Sequence, residues 1–590
     1  MSSNPISNRL PSTPQSYQAG PAAKSKKRHK SPDKFVSLDQ TVGGSWQDQL
    51  ASLKTTLQAQ EALGISSALN SKEAGEIMER VLGDKTPTED LGVIADRQMA
   101  ENGMVPAFTT EITNAVETMT GSPKPDHKCV VDLRDLNMVS VDNGDLDVKS
   151  GKLLNASKDI DQVEYAERMP NGNIKMLVGI ADVDSLVKKG DIIDNRAMRQ
   201  GATVYTDEKI FPMLPRKLSE DLTSLNEKQD RLATIKEFQV TPDGELVEPK
   251  LYRAYVHNRA QLAYDSVNEY LTNGNGARPP QLADEKLAEQ IKLQDEAAQR
   301  LRHFFHSKGS LDIESSEAHV HKVDGHVTGM SKDIQTRAKD KVKFNMMAAN
   351  ISTMTVLDNA GMPTLRRIVK TPENWDRIQA LAADYDYKLP TDPNAVALNA
   401  FLESRKQADP GAHEELCSEV VRLVGRGEYV VATPGEPIEG HFALAVPDYG
   451  HTTAPNRRAP DLVNQRIEKA YDQGEACPYS KEELEELAQH FNQQESAIKQ
   501  VERRVHRSAS AKLMKDKIGQ TFDGHFQKEI PVGSLVKLEE PYVTGMMRQK
   551  VDMKPGDDIR VKLEKVDVEK GYIDFTQAGE QQVDGFLLKT

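Results

Sequence analysis

The stretch "NASKDIDQVEYAERMPNGNIKMLVGIADVDSLV", Asn155–Val187, predicts a β-hairpin with acidic residues near its start. Apolar residues recur with a period of two on both sides of Pro170-Asn171-Gly172-Asn173, which is a strong hairpin turn. Strand side chains alternate between faces, so Asp159 and Asp161 are expected to point one way and Ile160 the other. Carboxylates at this spacing resemble half of a metal site, although most isolated Asp pairs are solvated turns.

The bulk composition limits the class of protein. At 590 residues the chain is too long for one core, so several domains are expected. No run approaches the roughly 18 apolar residues of a membrane span, and the N-terminus does not resemble a secretory signal. Three widely spaced cysteines without a CxxC pair fit a reducing cytoplasm. The net charge of -14 disfavours nonspecific coating of nucleic acid but allows a local basic groove.

The N-terminal part shows no pattern that indicates chemistry. Residues 1–35 are rich in Ser, Pro, Gln and Lys, which predicts a disordered basic tail. Residues 36–128 predict a small helical region. One helix is expected to start at a capping box on Asn70, and another at Thr86-Pro87-Thr88-Glu89. A third is expected over Thr109–Met119.

Beyond Cys129, strand and helix patterns mix, which predicts an α+β domain over residues 129–510. Helices are expected at Ala283–Phe305, Thr336–Leu357 and Leu462–Asp472. Residues 511–580 contain five short strands at regular spacing, which predicts a small barrel. A five-stranded OB-fold barrel is a common platform for single-stranded nucleic acid, but another small β-domain would give the same pattern.

Two long stretches resemble the ribonuclease II (RNB) family of 3′-to-5′ exoribonucleases. They are Val178–Ala233 and His441–Arg466, the latter containing "TAPNRR". The terminal barrel is similar to the S1-type RNA-binding domain of that family, and the likeness extends from about Asp132 to Gln577. It implies Mg²⁺-dependent hydrolysis of single-stranded RNA to nucleoside 5′-monophosphates. It also implies a cytoplasmic protein, expected to be a monomer with no membrane partner.

The family metal motif has the form D-x5-D-x-D-D, and its last three positions fall on Asp159, Asp161 and Gln162. The resemblance therefore implies that Asp159 and Asp161 are metal ligands. Gln162 takes the place of the fourth Asp, where an amide oxygen can ligate weakly or orient a water. This Gln is similar to a trait of one bacterial subset of the family.

The first Asp of the motif is displaced. Its expected position, six residues before Asp159, is Leu153, which cannot bind a metal. The stretch "MVSVDN" resembles the strand that normally carries this Asp, so Asp142 is the predicted third ligand. An insertion of about a dozen residues would then loop out between Asp142 and Asp159. Asp145 and Asp147 are alternative ligands.

The resemblance also implies roles for residues outside the metal motif. Tyr205 matches the tyrosine that clamps the terminal nucleotide, and Tyr264 matches a tyrosine at the cleavage site. Arg457 matches the arginine that contacts the scissile phosphate, where a guanidinium stabilises developing charge. Arg458 is expected to bind the RNA backbone or to support the site. A structural role is preferred for His451, because no other His or Cys lies at ligand spacing.

One departure leaves a second function open. The family helix ending in "MxxAN" usually carries an acidic pair, of which one Glu helps to hold the 3′ ribose. Here the corresponding residues are Lys343 and Phe344. Together with Gln162, they support the alternative of a catalytically weak homologue that binds RNA 3′ ends. A further alternative is an interaction protein that recruits a partner through its N-terminal region.

Overall fold

A computed structural model describes residues 72–121, 130–147, 152–154, 156–273, 278–313, 318–323 and 326–578. The tail predicted for residues 1–35 and the helix start predicted at Asn70 lie outside these ranges. Within the described residues, no helix combines the length and apolar character needed to cross a membrane.

Three helices precede the first strand: α1 (Lys72–Gly83), α2 (Leu91–Glu101) and α3 (Thr110–Glu117). The helix predicted from Thr86 starts five residues later, so that prediction was wrong. Asp90 is the N-cap, because its carboxylate accepts hydrogen bonds from two first-turn amides, whereas the Thr88 hydroxyl only accepts from the amide of Asp90.

The main sheet contains six strands. They are β1 (Val130–Asp132), β2 (Met138–Asp142), β5 (Gln162–Arg168), β6 (Ile174–Ala181), β9 (Asp230–Val240) and β10 (Leu246–Ala263). Their order is β1-β10-β2-β5-β6-β9, and a further pairing of β9 with β10 closes a ring of strands. β5 and β6 form the predicted antiparallel hairpin, with Gln162 opposite Ile180. Apolar side chains line both faces of the sheet. The predicted metal ligands therefore lie at one end of the sheet, where β2 ends and β5 begins.

The sequence pattern predicted that the acidic stretch opening this hairpin is itself a strand, and this prediction was wrong. β5 begins only at Gln162, and residues 159–161 form an irregular connection before it. The amide of Ile160 donates to the Ser224 hydroxyl at 2.9 Å, and the Ile160 side chain is buried in the core. The carbonyl of Asp161 also accepts a hydrogen bond of 3.0 Å from the amide of Ala181 at the end of β6, so hydrogen bonds from two directions fix the segment that carries the Asp side chains.

The predicted insertion folds as a short hairpin of β3 (Asp145–Asp147) and β4 (Lys152–Leu154). Its base is closed by a hydrogen bond of 3.0 Å from the amide of Ser157 to the carbonyl of Asn143. Because the chain leaves and returns at nearly the same point, the end of β2 lies beside the segment that carries Asp159.

Helices cover the sheet and extend beyond it. They are α4 (Ile192–Gln200), α5 (Tyr264–Thr272), α6 (Glu285–Ser307), α7 (Arg337–Asn359), α8 (Trp375–Ala383), α9 (Ala395–Ala408), α10 (Pro410–Val424), α11 (Ala459–Gln473) and α12 (Lys481–Met514). The predicted helices correspond to α6, α7 and α11. The sequence reading missed α12, which has 34 residues and begins at a capping box between Ser480 and Glu483.

Three further two-stranded sheets complete the region before the barrel. They are formed by β7 (Val204–Tyr205) with β8 (Ile210–Phe211), β11 (Ala318–Val323) with β12 (His326–Lys332), and β13 (Thr364–Ile368) with β14 (Glu428–Ala432). The first of them carries Tyr205.

The C-terminal strands form the predicted closed barrel. They are β15 (Thr521–Ile530), β16 (Gly533–Leu538), β17 (Thr544–Met547), β18 (Asp558–Asp567) and β19 (Tyr572–Gln577), in the order β15-β16-β17-β19-β18. The barrel core packs on the end of α12 and on α2. The α+β class and the terminal barrel predicted from the sequence are therefore confirmed.

Candidate active site

Asp142 and Asp161 are buried beside each other at the edge of the sheet, and Asp159 completes the group. Asp142 is the last residue of β2, and the closed base of the β3–β4 hairpin brings it to the segment before β5. Only 3% of Asp161 is exposed. Among the described residues, Oδ2 of Asp142 and Oδ1 of Asp161 are buried without a hydrogen-bond partner. Buried carboxylate oxygens of this kind are suited to a hard cation.

The pKa values of Asp142 and Asp161 are raised. Burial raises the pKa of Asp142 to about 7, and the charges of Asp161 and Asp159 add to this effect, whereas a hydrogen bond with Ser140 and the charge of Lys341 oppose it. Burial likewise raises the pKa of Asp161 to about 6, against the opposing charge of Arg457. The carboxylates are therefore insufficiently neutralised by the protein, and a divalent cation would stabilise their charged forms.

Arg457 and Tyr205 reach this group from two other parts of the chain. Nε of Arg457 donates to Oδ2 of Asp161 at 2.8 Å, while 42% of the Arg457 side chain remains exposed. The Tyr205 hydroxyl donates to Oδ2 of Asp159 at 3.2 Å, and 41% of Tyr205 is exposed. Burial raises the pKa of Tyr205, so the phenol keeps its proton at neutral pH. Both side chains thus present free surface above the carboxylates.

The segments that carry Tyr205 and Arg457 are joined by backbone hydrogen bonds. The amide of Thr203 donates to the carbonyl of Arg457 at 2.9 Å, and the amide of Ala459 donates to the carbonyl of Gly201 at 2.8 Å. Ala459 is fully buried at the start of α11. This pairing fixes the two segments relative to each other.

Tyr264 begins α5 near the same group. Burial raises the pKa of its hydroxyl, and the charges of Asp142 and Glu164 raise it further. Glu164 lies on β5 and forms an ion pair of 3.0 Å with Lys341 of α7, and both residues are buried. Asn345, one turn after Lys341, donates to Glu164 at 2.7 Å.

The sequence analysis missed this buried cluster of Glu164, Lys341 and Asn345. Two signals could have indicated it. Lys341 and Asn345 are four residues apart and therefore share one face of a helix. Glu164 is two residues after Gln162 and therefore points to the same side of β5.

Two other residues considered in the sequence have partners inside the protein. The Arg458 guanidinium donates to Asp461 at 2.8 Å, at the start of α11. His451 is hydrogen bonded to the Tyr429 hydroxyl at 2.8 Å. Burial, with the charge of Arg458, lowers the pKa of His451 well below its ordinary value, so the imidazole is neutral.

Lys343 and Phe344, which replace the usual acidic pair of the family helix, lie in different environments. Lys343 is exposed, whereas Phe344 is 1% exposed and packs between α6, α7 and the sheet. The two slots that usually carry the acidic pair therefore contain one exposed cation and one core aromatic ring.

A second group with metal-ligand atoms lies near this point and contains His306, Asp312 and Glu403, whose ligand atoms lie within 4.8 Å of one another. It shares no residue with the predicted ligand set. Lys406 and Arg302 lie 3.4 and 3.7 Å from Oδ2 of Asp312. Since these cations already neutralise Asp312, the group is better described as an ion-pair network than as a metal centre.

Comparison with protein-family models gives two matches along the chain. A model described as the RNB domain matches residues 131–474, which is more than half of the chain. A model of the RNase II-type exonuclease C-terminal S1 domain matches residues 522–578. The first match contains all the predicted site residues, and the second coincides with the barrel strands.

Curated proteins with similar sequences include two named ribonuclease R. Ribonuclease R 1 of Lactococcus lactis is 26% identical over 524 residues, covering 82% of this chain and 61% of that protein. Ribonuclease R of Thermotoga maritima is 28% identical over 545 residues, covering 85% of this chain and 72% of that protein. The chain thus spans roughly three fifths to seven tenths of the length of these two relatives.

A solved structure supports the fold. Mycoplasma genitalium RNase R in complex with ribose-methylated single-stranded RNA superposes with a TM-score of 0.72 and 22% identity. The superposition covers 83% of this chain and 78% of the other. At this identity the likeness establishes a shared fold and no more.

Proposed function

The chain belongs to the RNB family, and from this we propose that it is a hydrolytic 3′-to-5′ exoribonuclease that degrades single-stranded RNA to nucleoside 5′-monophosphates. RNB nucleases depend on a metal ion. We propose Mg²⁺ as the cofactor, because the predicted ligands are all carboxylates, which suit this hard cation. The similarity to proteins named ribonuclease R supports the same activity.

One observation carries the proposal: buried carboxyl groups with unpartnered oxygens face an exposed arginine and an exposed tyrosine. Asp142 and Asp161 provide the unpartnered oxygens. Arg457 and Tyr205 each contact one carboxylate and keep about two fifths of their surface free. A phosphodiester hydrolase needs this combination, since its substrate is anionic and its reaction develops further negative charge.

We assign Asp142, Asp159 and Asp161 as the ligands of Mg²⁺. When bound, Mg²⁺ would activate a water as nucleophile and neutralise charge on the scissile phosphate. Gln162 is assigned an auxiliary role, in which its amide oxygen orients a water or ligates weakly. No protein side chain is proposed as a nucleophile.

The remaining residues would position the RNA. The exposed ring of Tyr205 would stack on the terminal base, as aromatic side chains do for single strands. The exposed guanidinium nitrogens of Arg457 would donate to the phosphate while Nε stays on Asp161. Tyr264 would contact the sugar-phosphate backbone beside Asp142, and Arg458 would support it from α11.

The barrel and the domain limits belong to the same proposal. The barrel over residues 511–580 would guide single-stranded RNA towards a catalytic domain over residues 129–510, although α12 continues through that boundary to Met514. The cytoplasmic location and the monomeric state expected from the sequence remain predictions.

Incubation of a 5′-labelled oligoadenylate with the protein and Mg²⁺ tests the proposal. A ladder that collapses to a short limit product is expected, and replacing Mg²⁺ by a chelator should stop it. Asp161→Asn should abolish cleavage while RNA binding remains, because the amide keeps the shape of the side chain but removes its charge. Unchanged cleavage by this variant would contradict the assignment of the site.

A second function is favoured by one specific observation. Lys343 is exposed where the family usually has an acidic residue, and Gln162 removes a charge from the metal motif. A protein with these changes could bind RNA 3′ ends and cleave them poorly. An intact oligoadenylate that is still shifted in a native gel would support this alternative over the enzyme.

A further inference from the structure

Tyr205 stands on a hairpin too small to be rigid by itself. β7 and β8 contain two residues each, and Val204 pairs with Phe211 while Tyr205 pairs with Ile210. Isolated two-stranded hairpins are marginally stable in water. Tyr205 and Ile210 are each 41% exposed, so the outer face of this hairpin contributes little to its own stability. Its position must therefore be set by contacts on the other face.

The other face of the hairpin is packed against α2, the residues just after it, and α12. Val204 and Phe211 point away from Tyr205, as alternation along a strand requires, and are 0% and 3% exposed. They form one apolar cluster with Ala95, Met99 and Met104 from α2 and the residues after it, and with Ile498, Val501 and Val505 from α12. Ala95 and Met99 are four residues apart, so they form one stripe of α2 beneath the hairpin.

Polar contacts fix the edges of the same hairpin. Nζ of Lys209 lies 2.6 Å from Oδ1 of Asp96 on α2. On the α12 side, the amide of Tyr205 donates to Glu502 at 3.1 Å, and Asp207 is paired with His506 at 2.7 Å. The hairpin thus has polar contacts with α2 on one side and with α12 on the other.

An adjacent stripe of α2 contacts the barrel. Leu91 and Ile94 belong to the core of the barrel cluster, and Arg97 forms an ion pair of 2.9 Å with Glu569. α2 therefore contacts both the barrel and the hairpin that carries Tyr205.

We propose that α2 is a positioning element for the Tyr205 hairpin, and that Met99 is its main positioning residue for the terminal nucleotide of the RNA. This inference rests on the proposed stacking of Tyr205 on the terminal base. It gives residues 91–104 a role in substrate binding, where the sequence showed no chemistry. Met99 acts only through Tyr205 and touches neither RNA nor metal.

The test measures binding of a 5′-labelled oligoadenylate to the full chain in EDTA, where it is not cleaved, and kcat and KM in Mg²⁺. Tyr205→Ala should weaken binding about tenfold, in line with the loss of one stacked base. Met99→Ala should weaken it roughly threefold, since a displaced ring keeps part of its stacking. It should raise KM and leave kcat nearly unchanged.

Three further variants isolate the effect. Met99→Leu should restore wild-type binding, because it refills the same volume. Met78→Ala makes the same truncation in the neighbouring cluster of α1, which does not include the hairpin, and should leave binding unchanged. Asp96→Asn, at a partly exposed position, should weaken binding in the same direction even if Met99→Ala proves too unstable to purify.

The decisive comparison is the double variant with Tyr205→Ala. Once the ring is absent, Met99→Ala should add no further loss of binding. Additive losses, or an equal loss in Met78→Ala, would overturn the positioning role of α2. If Tyr205→Ala alone leaves binding unchanged, the proposed role of Tyr205 fails, which is a different result from failed coupling.

Discussion

The charge distribution of the site depends on a few side chains with distinct environments. Asp142 and Asp161 are both buried, and each has one oxygen without a partner among the described residues. Asp161 also contacts Arg457. Arg457 combines a buried contact with an exposed surface, which Lys could not reproduce because an ammonium is a single point of charge. The geometry of the guanidinium is therefore as important as its charge.

Arg457→Lys should lower kcat by about 100-fold, the usual effect of removing one donor from a developing anion. Lys can still pair with Asp161 but cannot also donate from a planar fork to phosphate. Single-turnover cleavage of the labelled oligonucleotide measures the effect. Arg503→Lys, at an exposed position of α12, is the matched control, and a kcat for Arg457→Lys close to wild type would contradict the assigned role.

The raised pKa of Asp142 predicts how stability depends on pH in metal-free protein. Its folded-state pKa, about 7, lies above its ordinary value of 3.8, so the folded state binds the proton more tightly. The unfolding free energy contributed by this group therefore falls as pH rises from about 4 to 7. Asp142→Asn, which resembles the protonated form, should be closest to wild type near pH 4 and become more stable than wild type as the pH rises to 8.

Urea unfolding in a chelator measures this difference, expected to be a few kcal/mol at roughly 1.4 kcal/mol per pKa unit. Added Mg²⁺ should reduce it by stabilising wild type alone. Asp523→Asn on the barrel surface is the control and should show no such dependence on pH. A constant difference between Asp142→Asn and wild type from pH 5 to 8 would show that Asp142 is not buried as described.

The contact of α7 with β5 depends on one buried ion pair. Lys341 and Glu164 are fully and almost fully buried, and Asn345 provides a second hydrogen bond to the Glu164 carboxylate. A buried charge that loses its partner is strongly destabilising, whereas an exposed charge on the same helix contributes little. Lys341 and Lys343 provide this contrast two residues apart.

Lys341→Met should lower the free energy of unfolding by roughly 3–5 kcal/mol, because Glu164 would remain buried without its cation. Lys343→Met should change it by less than about 0.5 kcal/mol, as expected of an exposed substitution. Urea unfolding of both variants measures the difference. Equal stabilities would contradict the burial of the Lys341–Glu164 pair.

The barrel is joined to the rest of the molecule by both apolar and ionic contacts. Its core continues onto the last turns of α12 and onto α2. Glu414 of α10 is paired with Lys332 at 2.7 Å and Lys537 at 2.8 Å, and it accepts a hydrogen bond from Tyr542. Since Lys537 and Tyr542 belong to the barrel, one carboxylate connects three segments that are distant in the sequence.

Glu414→Gln should destabilise this junction by roughly 2 kcal/mol, because charge-assisted hydrogen bonds to a buried carboxylate become neutral. Calorimetry of the full chain should show a lower transition temperature. Glu419→Gln, whose partner Arg422 is exposed on the same helix, should have almost no effect. A larger loss in Glu419→Gln than in Glu414→Gln would contradict this view of the junction.

Local patterns in the sequence were sufficient for much of the fold. Period-two alternation and the Pro170–Asn173 turn predicted the β5–β6 hairpin, and regular spacing predicted the barrel. Helical periodicity placed the starts of α6 and α7 within two residues. The capping signal at Thr86 failed at α2, where Asp90 is the N-cap.

Some features of the candidate site could be predicted from the sequence, and others only from the tertiary structure. Asp159, Asp161 and Arg457 were predicted from motifs that resemble those of the RNB family, and carboxylates and a guanidinium suit the proposed Mg²⁺ and a phosphate. Only the folded chain brings Asp142 to them, through the closed β3–β4 hairpin. The burial of these groups and the packing of the Tyr205 hairpin on α2 were also invisible beforehand, since they join residues far apart in the sequence. The Lys341–Glu164 pair was indicated only by residue spacing along one helix and one strand. The sequence determined which chemistry was available, and long-range packing decided where each group stands and how strongly its charge is felt.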